Sequence, residues 1–280
     1  MSCKDILAIV LDAQEDECAI AAAESLQARF GAHLACAFLT PLPDEPLAYE
    51  PTVVAGVWAE LLGRARGEAE KGRQLVEARM GRSGVPIEMR SAEALSRDLG
   101  RVAAVHARYA DLAVIARPNG KDVAELRDEV IEGVLFHSGR PALVIPPGWK
   151  GGAIGKRVVL AWDASREATR ALAEAGPLID QAETVVVLTV DAKPRLFGHG
   201  DQPGQNLAAH LARRGHKVEV RNAERFGRSV AETINAEALS LNADLLVMGA
   251  YGHSRLRELV FGGATRELLQ IGATPILMAH

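Results

Sequence analysis

Short apolar runs recur along the chain, separated by longer stretches in which apolar positions return every three or four residues. The runs are Ile6–Leu11, His33–Leu39, Ile87–Arg90, Leu112–Ala116 and Ala142–Ile145, then Val158–Trp162, Thr184–Val190, Val218–Arg221, Leu245–Gly249 and Ile276–Met278. Runs that are apolar throughout, rather than alternating, suit strands buried on both faces. The stretches between them read as helices, for example Ser165–Ile179 and Val230–Leu241. Alternation of strand and helix predicts an α/β fold, with right-handed crossovers, parallel strands and helices on both faces. Ligands of such sheets sit beyond the carboxyl ends of the strands, where the strand order switches direction.

The pattern occurs twice. "DILAIVLDAQEDECAIAAAESLQARFGAHLACAFL" opens the first half and "KRVVLAWDASREATRALAEAGPLIDQAETVVVLTV" the second. Each has an apolar run ending at an aspartate, Asp12 or Asp163, then an Ala-rich helical pattern and a second apolar run. The halves also close alike: "ADLAVIARPNG" matches "ADLLVMGAYGH", and "GRPALVIPP" matches "GATPILMAH". Between them lies "PPGWKGGAIG", Pro146 to Gly155, with two prolines and four glycines. Neither residue supports a regular element there, so the stretch reads as a linker. The sequence therefore predicts two tandem doubly wound domains of five parallel strands each, 1–147 and 156–280, joined by 148–155. One stretch stands apart from the repeat. Residues 49–80, after the Pro-rich "TPLPDEP", read as a long amphipathic helix, a cover over the edge of the first half's sheet in preference to a partner surface.

The candidate chemistry lies in "ADLLVMGAYGHSRLRELVFGGATRELLQIGATPILMAH". Gly249 ends the fourth strand of the second half, Gly252 follows in a turn, and Gly262 and Gly263 precede the helical run "ATRELLQI". Glycine at a strand's carboxyl end can adopt positive φ and lets a ligand approach the backbone. Free N–H groups and the dipole at a helix start favour an anion. The two glycine sets thus bracket a place for a phosphate chain, with His253, Arg255 and Arg257 adding positive character. Turn and cap roles explain single glycines as well; the strand before and helix after favour the ligand. The segment is not a Gly-x-x-x-x-Gly-Lys-Ser/Thr loop, nor a dinucleotide fingerprint, which would follow the first strand of a half.

Composition narrows the function. Lys plus Arg total 32 against 36 Asp plus Glu, a formal net charge of −4, and aromatics make up 4%. Neither a basic face nor stacking platforms for nucleic acid are expected. No apolar run of eighteen residues and no basic, apolar leader appears, so the chain reads as cytoplasmic, away from membranes. Three cysteines, Cys3, Cys18 and Cys36, read as reduced thiols. The eight histidines show no metal spacing; His199, His210 and His216 share one polar region and read as solvated. Ser165 lacks a nucleophile elbow and reads as a helix cap.

Gly249-x2-Gly252-x9-Gly262 after "ADLLVM", together with "VVLAWDASREATRAL", resembles the nucleotide-binding signature and first strand–helix unit of the universal stress protein family. The likeness covers Lys156–His280, and the first half more weakly through "ADLAVIARPNG" and "RPALVIPP", so the whole resembles a tandem universal stress protein. It implies a five-stranded α/β fold per domain, ATP binding in some members, and pairing of domains through their last strands. It places Asp163 against the adenosine, where a carboxylate can accept from ribose hydroxyls; a turn or helix-cap role is equally open. Val190 is placed to line the base or to pack in the core. Gly263, Ala264 and Thr265 would meet phosphate through the helix start.

Two departures stand out. ATP-binding members usually carry Ser or Thr where this chain has Gly263, which removes a hydroxyl but leaves a backbone N–H, with Thr265 nearby. In the first half, Asp128 and Glu129 fall opposite Gly262 and Gly263, Ala116 opposite Gly249 and Asn119 opposite Gly252. Two carboxylates repel phosphate, so no nucleotide is expected there. The resulting reading is a non-catalytic regulatory stress-response protein that binds ATP in its second half, with no metal site evident. A weak nucleotide hydrolase and a nucleotide-independent interaction scaffold are the alternatives. The halves are expected to pair through "RPALVIPP" and "TPILMAH", and two chains can still associate through other faces. Ten linker residues reach about 33 Å when extended, which permits the internal pairing.

Overall fold

The structure, a computed structural model, describes residues 3–44, 51–117, 124–194, 200–251 and 263–280, with side chains 51–55 and 124 also left aside. The first half runs β1 (Asp5–Val10), α1 (Glu17–Phe30), β2 (His33–Leu42), α2 (Pro51–Gly81), β3 (Ile87–Leu95), α3 (Leu99–Ala107), β4 (Leu112–Ala116), α4 (Ala124–His137) and β5 (Ala142–Ile145). The second runs β6 (Arg157–Ala161), α5 (Arg166–Glu174), α6 (Gly176–Ile179), β7 (Thr184–Val190), α7 (Gln205–Arg213), β8 (Val218–Ala223), α8 (Val230–Ser240), β9 (Leu245–Gly249), α9 (Gly263–Ile271) and β10 (Ile276–Ala279).

All ten strands form one sheet in the order β3-β2-β1-β4-β5-β10-β9-β6-β7-β8. Pairing is parallel within each half. At the middle β10 runs antiparallel to β5, with Ile276 opposite Val144 and Met278 opposite Ala142. The strand order of one half therefore mirrors that of the other. Helices α3, α4, α8 and α9 bury their apolar faces on one side of the sheet. Helices α1, α5, α6 and α7 cover the other. Both cores pass through the seam: Val144 and Met278 join the first, Leu143 and Leu277 the second.

Local chemistry accounts for the elements. The inner strands β1 and β4 are buried at nearly every position, as strands covered on both faces must be. The edge strand β3 runs on to Leu95, five residues beyond the Ile87–Arg90 stretch read from sequence, because its half-exposed alternation lacks a continuous apolar signal. Ser165 caps α5 by accepting the Ala168 N–H at 3.0 Å. Ser229 and Glu232 form a reciprocal capping box on α8. The long α2 is held as a helix by Arg–Glu pairs one turn apart, such as Arg64 with Glu60. It is anchored by Val76 and Met80 against Phe38 of β2, and by Arg79 forked between Glu17 and Glu24 of α1.

Helices α3 and α4 cross at a glycine pair. A Cβ on Gly133 would stand 2.2 Å from the Gly100 carbonyl oxygen, so this approach is open only to glycine. The crossing fixes the depth at which α4 lies, and with it the position of residues that α4 sends toward the second half.

Two aspartates repeat a second device. Asp244, just before β9, accepts backbone N–H groups from Gly155, Lys156 and Arg157 at 2.8, 3.2 and 3.1 Å. Asp111, just before β4, accepts from Lys4 and Asp5 at 2.7 and 3.1 Å. In each half the "AD" before the fourth strand thus pins the entry of the first strand. In the second half it also ties the end of the linker, where Ile154 is buried in the core.

Candidate functional site

In the second half β6 is flanked by β7 on one side and β9 on the other, so the strand order switches between β6 and β9. At the carboxyl ends of these strands lies a cavity of about 230 Å³. Its floor and one wall are apolar: Leu188 and Val190 from β7, Met248 from β9, and Val230 and Ile234 from α8. Trp162 and Asp163, following β6, and Gly249 form the rim. Gly263, Ala264 and Thr265, the first described turn of α9, close the polar end.

Six of the sequence-selected residues thus line one space: Asp163, Val190, Gly249, Gly263, Ala264 and Thr265. Gly252, His253, Arg255 and Gly262 lie outside the described residues. Sequence reasoning missed the apolar wall and Trp162, which look like ordinary core positions of strands and helices.

The backbone around the cavity is unusual. Ala164, Asp191 and Tyr251 all have left-handed φ, 61°, 46° and 56°. They follow β6, β7 and β9, the three strands that frame the cavity. Non-glycine residues seldom adopt this conformation, and clusters of them accompany ligand sites. Every described non-glycine residue with positive φ falls in the second half.

Asp163 is exposed, and its Oδ1 accepts the Ser165 N–H at 3.0 Å, closing the turn after β6. The cap of α5 is Ser165, as its capping reading required, so Asp163 serves the turn and not the cap. Asp191 accepts from Arg225, whose guanidinium and backbone N–H both reach it, and this hydrogen bonding lowers the carboxyl's pKa.

Gly249 corrects an expectation. Its φ is not positive, and a Cβ there would lie 2.4 Å from the Ala168 nitrogen and 2.6 Å from the Glu167 carbonyl carbon. The close approach that demands glycine is made by the first turn of α5, not by a ligand. At Gly263 a Cβ would meet nothing within 4 Å, so a side chain fits there.

The first half treats the matching place differently. Asp16 accepts the N–H groups of Leu11 and Asp12, at the end of β1, at 2.7 and 2.9 Å. Its other oxygen takes the Arg127 guanidinium of α4, which also reaches Glu15 at 2.7 Å. Burial raises the Asp16 pKa, and the Arg127 charge and the backbone donors work against that rise. Asp128 and Glu129 do not stand at a helix start, since α4 is already helical from Ala124. The buried Arg127–Asp16 pair links the end of β1 to α4 in this half.

The thiols of Cys3, Cys18 and Cys36 are free and buried, and burial pushes them up to about 12, 11 and 12. They are held as thiols, not nucleophilic thiolates. Among the described residues no His/Cys/Asp/Glu group could hold a metal ion, and no helix is long and apolar enough to cross a membrane.

A doubly wound α/β sheet with a cavity at its switch point defines the class. Within it, residues 155–280 match the model of the universal stress protein family. A universal stress protein from Archaeoglobus fulgidus DSM 4304 shares the fold over 98% of this chain and 96% of its own, at 16% identity and a TM-score of 0.65. A functionally unknown protein from Pseudomonas aeruginosa PAO1 does so over 99% and 92%, at 12% identity and a TM-score of 0.54. No curated protein matches the chain.

Proposed function

We propose that the second half binds an adenine nucleotide, ATP, in the cavity between β6 and β9, and that the protein is a non-catalytic regulator of a cytoplasmic stress response. The observation that carries this reading is convergence: Asp163, Val190, Gly249, Gly263, Ala264 and Thr265 come from four separate stretches of sequence and line one cavity. The cavity also suits the ligand's chemistry. Its apolar wall, with Val190, Leu188 and Met248, offers a surface for a base. Asp163 offers an acceptor for ribose hydroxyls, and Thr265 with the start of α9 offers donors for phosphate. The glycine connector with His253, Arg255 and Gly262 belongs to the phosphate end of the same site.

Division at 148–155 assigns the nucleotide to 156–280 and leaves 1–147 as a domain that binds none. Its Arg127 is already neutralised by the buried Asp16 and so offers no free charge to a phosphate. The role is assigned as binding rather than hydrolysis: among the described residues that line the cavity, Asp163 is the one ionisable group. Hydrolysis needs positioned charge on the phosphates and an oriented water.

Calorimetric titration of the full chain with ATP tests the reading. At about 100 times its dissociation constant ATP adds about 2.7 kcal/mol of stability. Trp162 in the rim makes a change in tryptophan emission the expected companion signal. No heat and no shift in melting at millimolar ATP would reject the nucleotide and leave an interaction scaffold.

A further inference from the structure

Tyr251 stands two residues beyond Gly249, where the chain leaves β9 for the glycine connector. Its left-handed backbone, φ 56°, is a conformation that a bulky residue keeps only when its surroundings hold it. Three contacts do so. Its N–H donates to the Thr265 hydroxyl at 3.4 Å, and Thr265 lines the cavity. Its phenol donates to Glu132 Oε1 at 3.2 Å. Its ring lies 5.0 Å from that of Phe136. Phe136 in turn meets the ring of His280 edge-on at 4.8 Å, and the Nδ1 of His280 is 3.0 Å from the Ala250 carbonyl oxygen.

Glu132 and Phe136 belong to α4, in the first half. The backbone that frames the second half's cavity is therefore held from across the seam. The residues that make the contact are not repeated in the other half. By the matching of "ADLAVIARPNG" with "ADLLVMGAYGH", Tyr251 corresponds to Pro118, which has neither ring nor hydroxyl. With Pro141 set opposite Pro275, Glu132 and Phe136 correspond to Arg266 and Gln270. Arg117, just after β4, reaches the second half through the Gly272 carbonyl oxygen; the Tyr251 contact is the one that continues to Thr265 of the cavity. Burial and the neighbouring Glu132 also raise the Tyr251 pKa, which keeps the phenol a donor.

We infer that the first half acts as a support for the second half's nucleotide site, with Glu132 and Phe136 of α4 holding Tyr251 as the positioning residue between β9 and the start of α9. The inference rests on the nucleotide reading above. It gives the half without a nucleotide a function: it sets the affinity of its neighbour.

The test uses the full chain, ATP titration, and amide hydrogen exchange at Ala250–Tyr251 and Gly263–Thr265. Tyr251→Phe removes the hydroxyl and keeps the ring; Glu132→Ala removes the acceptor. Each is expected to weaken ATP about fivefold or more, the size of a modest coupling between sites. The double variant should be no weaker than the worse single one, because both remove one bond. Glu132→Gln keeps a carbonyl oxygen and is expected to restore wild-type affinity, which a purely electrostatic role would not allow. Exchange at the five amides named should quicken in Tyr251→Phe while the melting temperature stays near that of wild type. Wild-type ATP binding with unchanged affinity in Tyr251→Phe and Glu132→Ala would overturn the inference and leave the nucleotide reading standing. If wild type binds no ATP, the nucleotide reading fails, and exchange then decides: unchanged protection in Tyr251→Phe overturns the support role as well.

Discussion

Arg127 and Asp16 form a buried ion pair in the first half, Nη2 to Oδ1 at 2.8 Å, with each residue 1% exposed. The pair differs from an interchangeable salt bridge because Asp16 also holds the N–H groups of Leu11 and Asp12. Removing the cation strands a carboxylate that burial already disfavours. Arg127→Ala is expected to cost about 3–5 kcal/mol in urea denaturation, as for other broken buried pairs. Adding Asp16→Asn should recover part of that loss, since the amide is uncharged and keeps an acceptor for the backbone. A single variant as stable as wild type would show that the pair does not hold the turn before α1 against α4.

The Asp244 carboxylate offers a second measurement on stability. Asp244→Ala unties Gly155, Lys156 and Arg157 at once. The expected loss is about 1–3 kcal/mol, the cost of leaving the part-buried Gly155 N–H and two exposed N–H groups without their acceptor. Asp111→Ala should cost less, because two N–H groups depend on it rather than three. Equal losses, or none, would mean water replaces the carboxylate at both strand entries.

These two devices also show what the sequence disclosed. Strands β4, β5, β7 and β9 fall where their apolar runs place them, because burial on both faces leaves an unbroken signal. Arg127 was legible in principle: it shares a helical stripe with Val130, Ile131 and Val134, so a charge on that face had to be paired inside. The cavity's glycines were legible as a set but not in their separate causes. A glycine needed for helix packing, such as Gly249, reads the same as one needed for a ligand. The Tyr251–Glu132 bond joins residues 119 apart in sequence and exists only because of how the halves meet, so no local pattern announces it.

Glu132 gives the protein a pH signature. Burial raises its pKa, Asp128 and Glu129 push the same way, and the Tyr251 hydroxyl and Arg266 oppose the rise. An acid whose folded pKa is raised holds its proton longer in the folded state than in the unfolded one. Its share of stability is full below the unfolded pKa, about 4.3 for Glu, and is lost as pH climbs through the folded value. Glu132→Gln removes this loss and keeps an acceptor for Tyr251. The variant should therefore match wild type near pH 4 and melt higher at pH 8, by a few degrees for about 1 kcal/mol. Asp16, Asp128 and Asp244 are raised too and remain in the variant, so its own decline with pH is reduced and not abolished. A constant gap between the two proteins from pH 4 to pH 8 would contradict the assignment.

Gly263→Ser probes the phosphate end of the proposed site. A Cβ there meets no atom within 4 Å, so the fold should accept it. One added hydrogen bond to a charged phosphate is worth roughly 1.5–3 kcal/mol, which is about tenfold or more in affinity for ATP by calorimetry. Unchanged ATP affinity, with melting preserved, would place the phosphates away from the start of α9.

The last prediction concerns the seam. Strands β5 and β10 would each expose a row of unpaired backbone groups if the halves stood apart, and such edges invite pairing with another chain. Here each closes the other, antiparallel, with Ile276 opposite Val144 and Leu277 opposite Leu143. Ile276 is also buried in the core that runs beneath both halves. A chain closed in this way is expected to scatter as a compact monomer, with a radius of gyration near the size rule for 280 residues, about 19 Å. Ile276→Asp places a charge in that core without touching the cavity residues. If the seam is internal in solution, the variant should remain monomeric and swell, because the linker still joins the halves. If the edges instead pair between chains, wild type should run as a larger oligomer that the variant splits. Small-angle X-ray scattering and light scattering on the two proteins separate these outcomes, and a wild-type oligomer dissolved by Ile276→Asp would overturn the internal pairing.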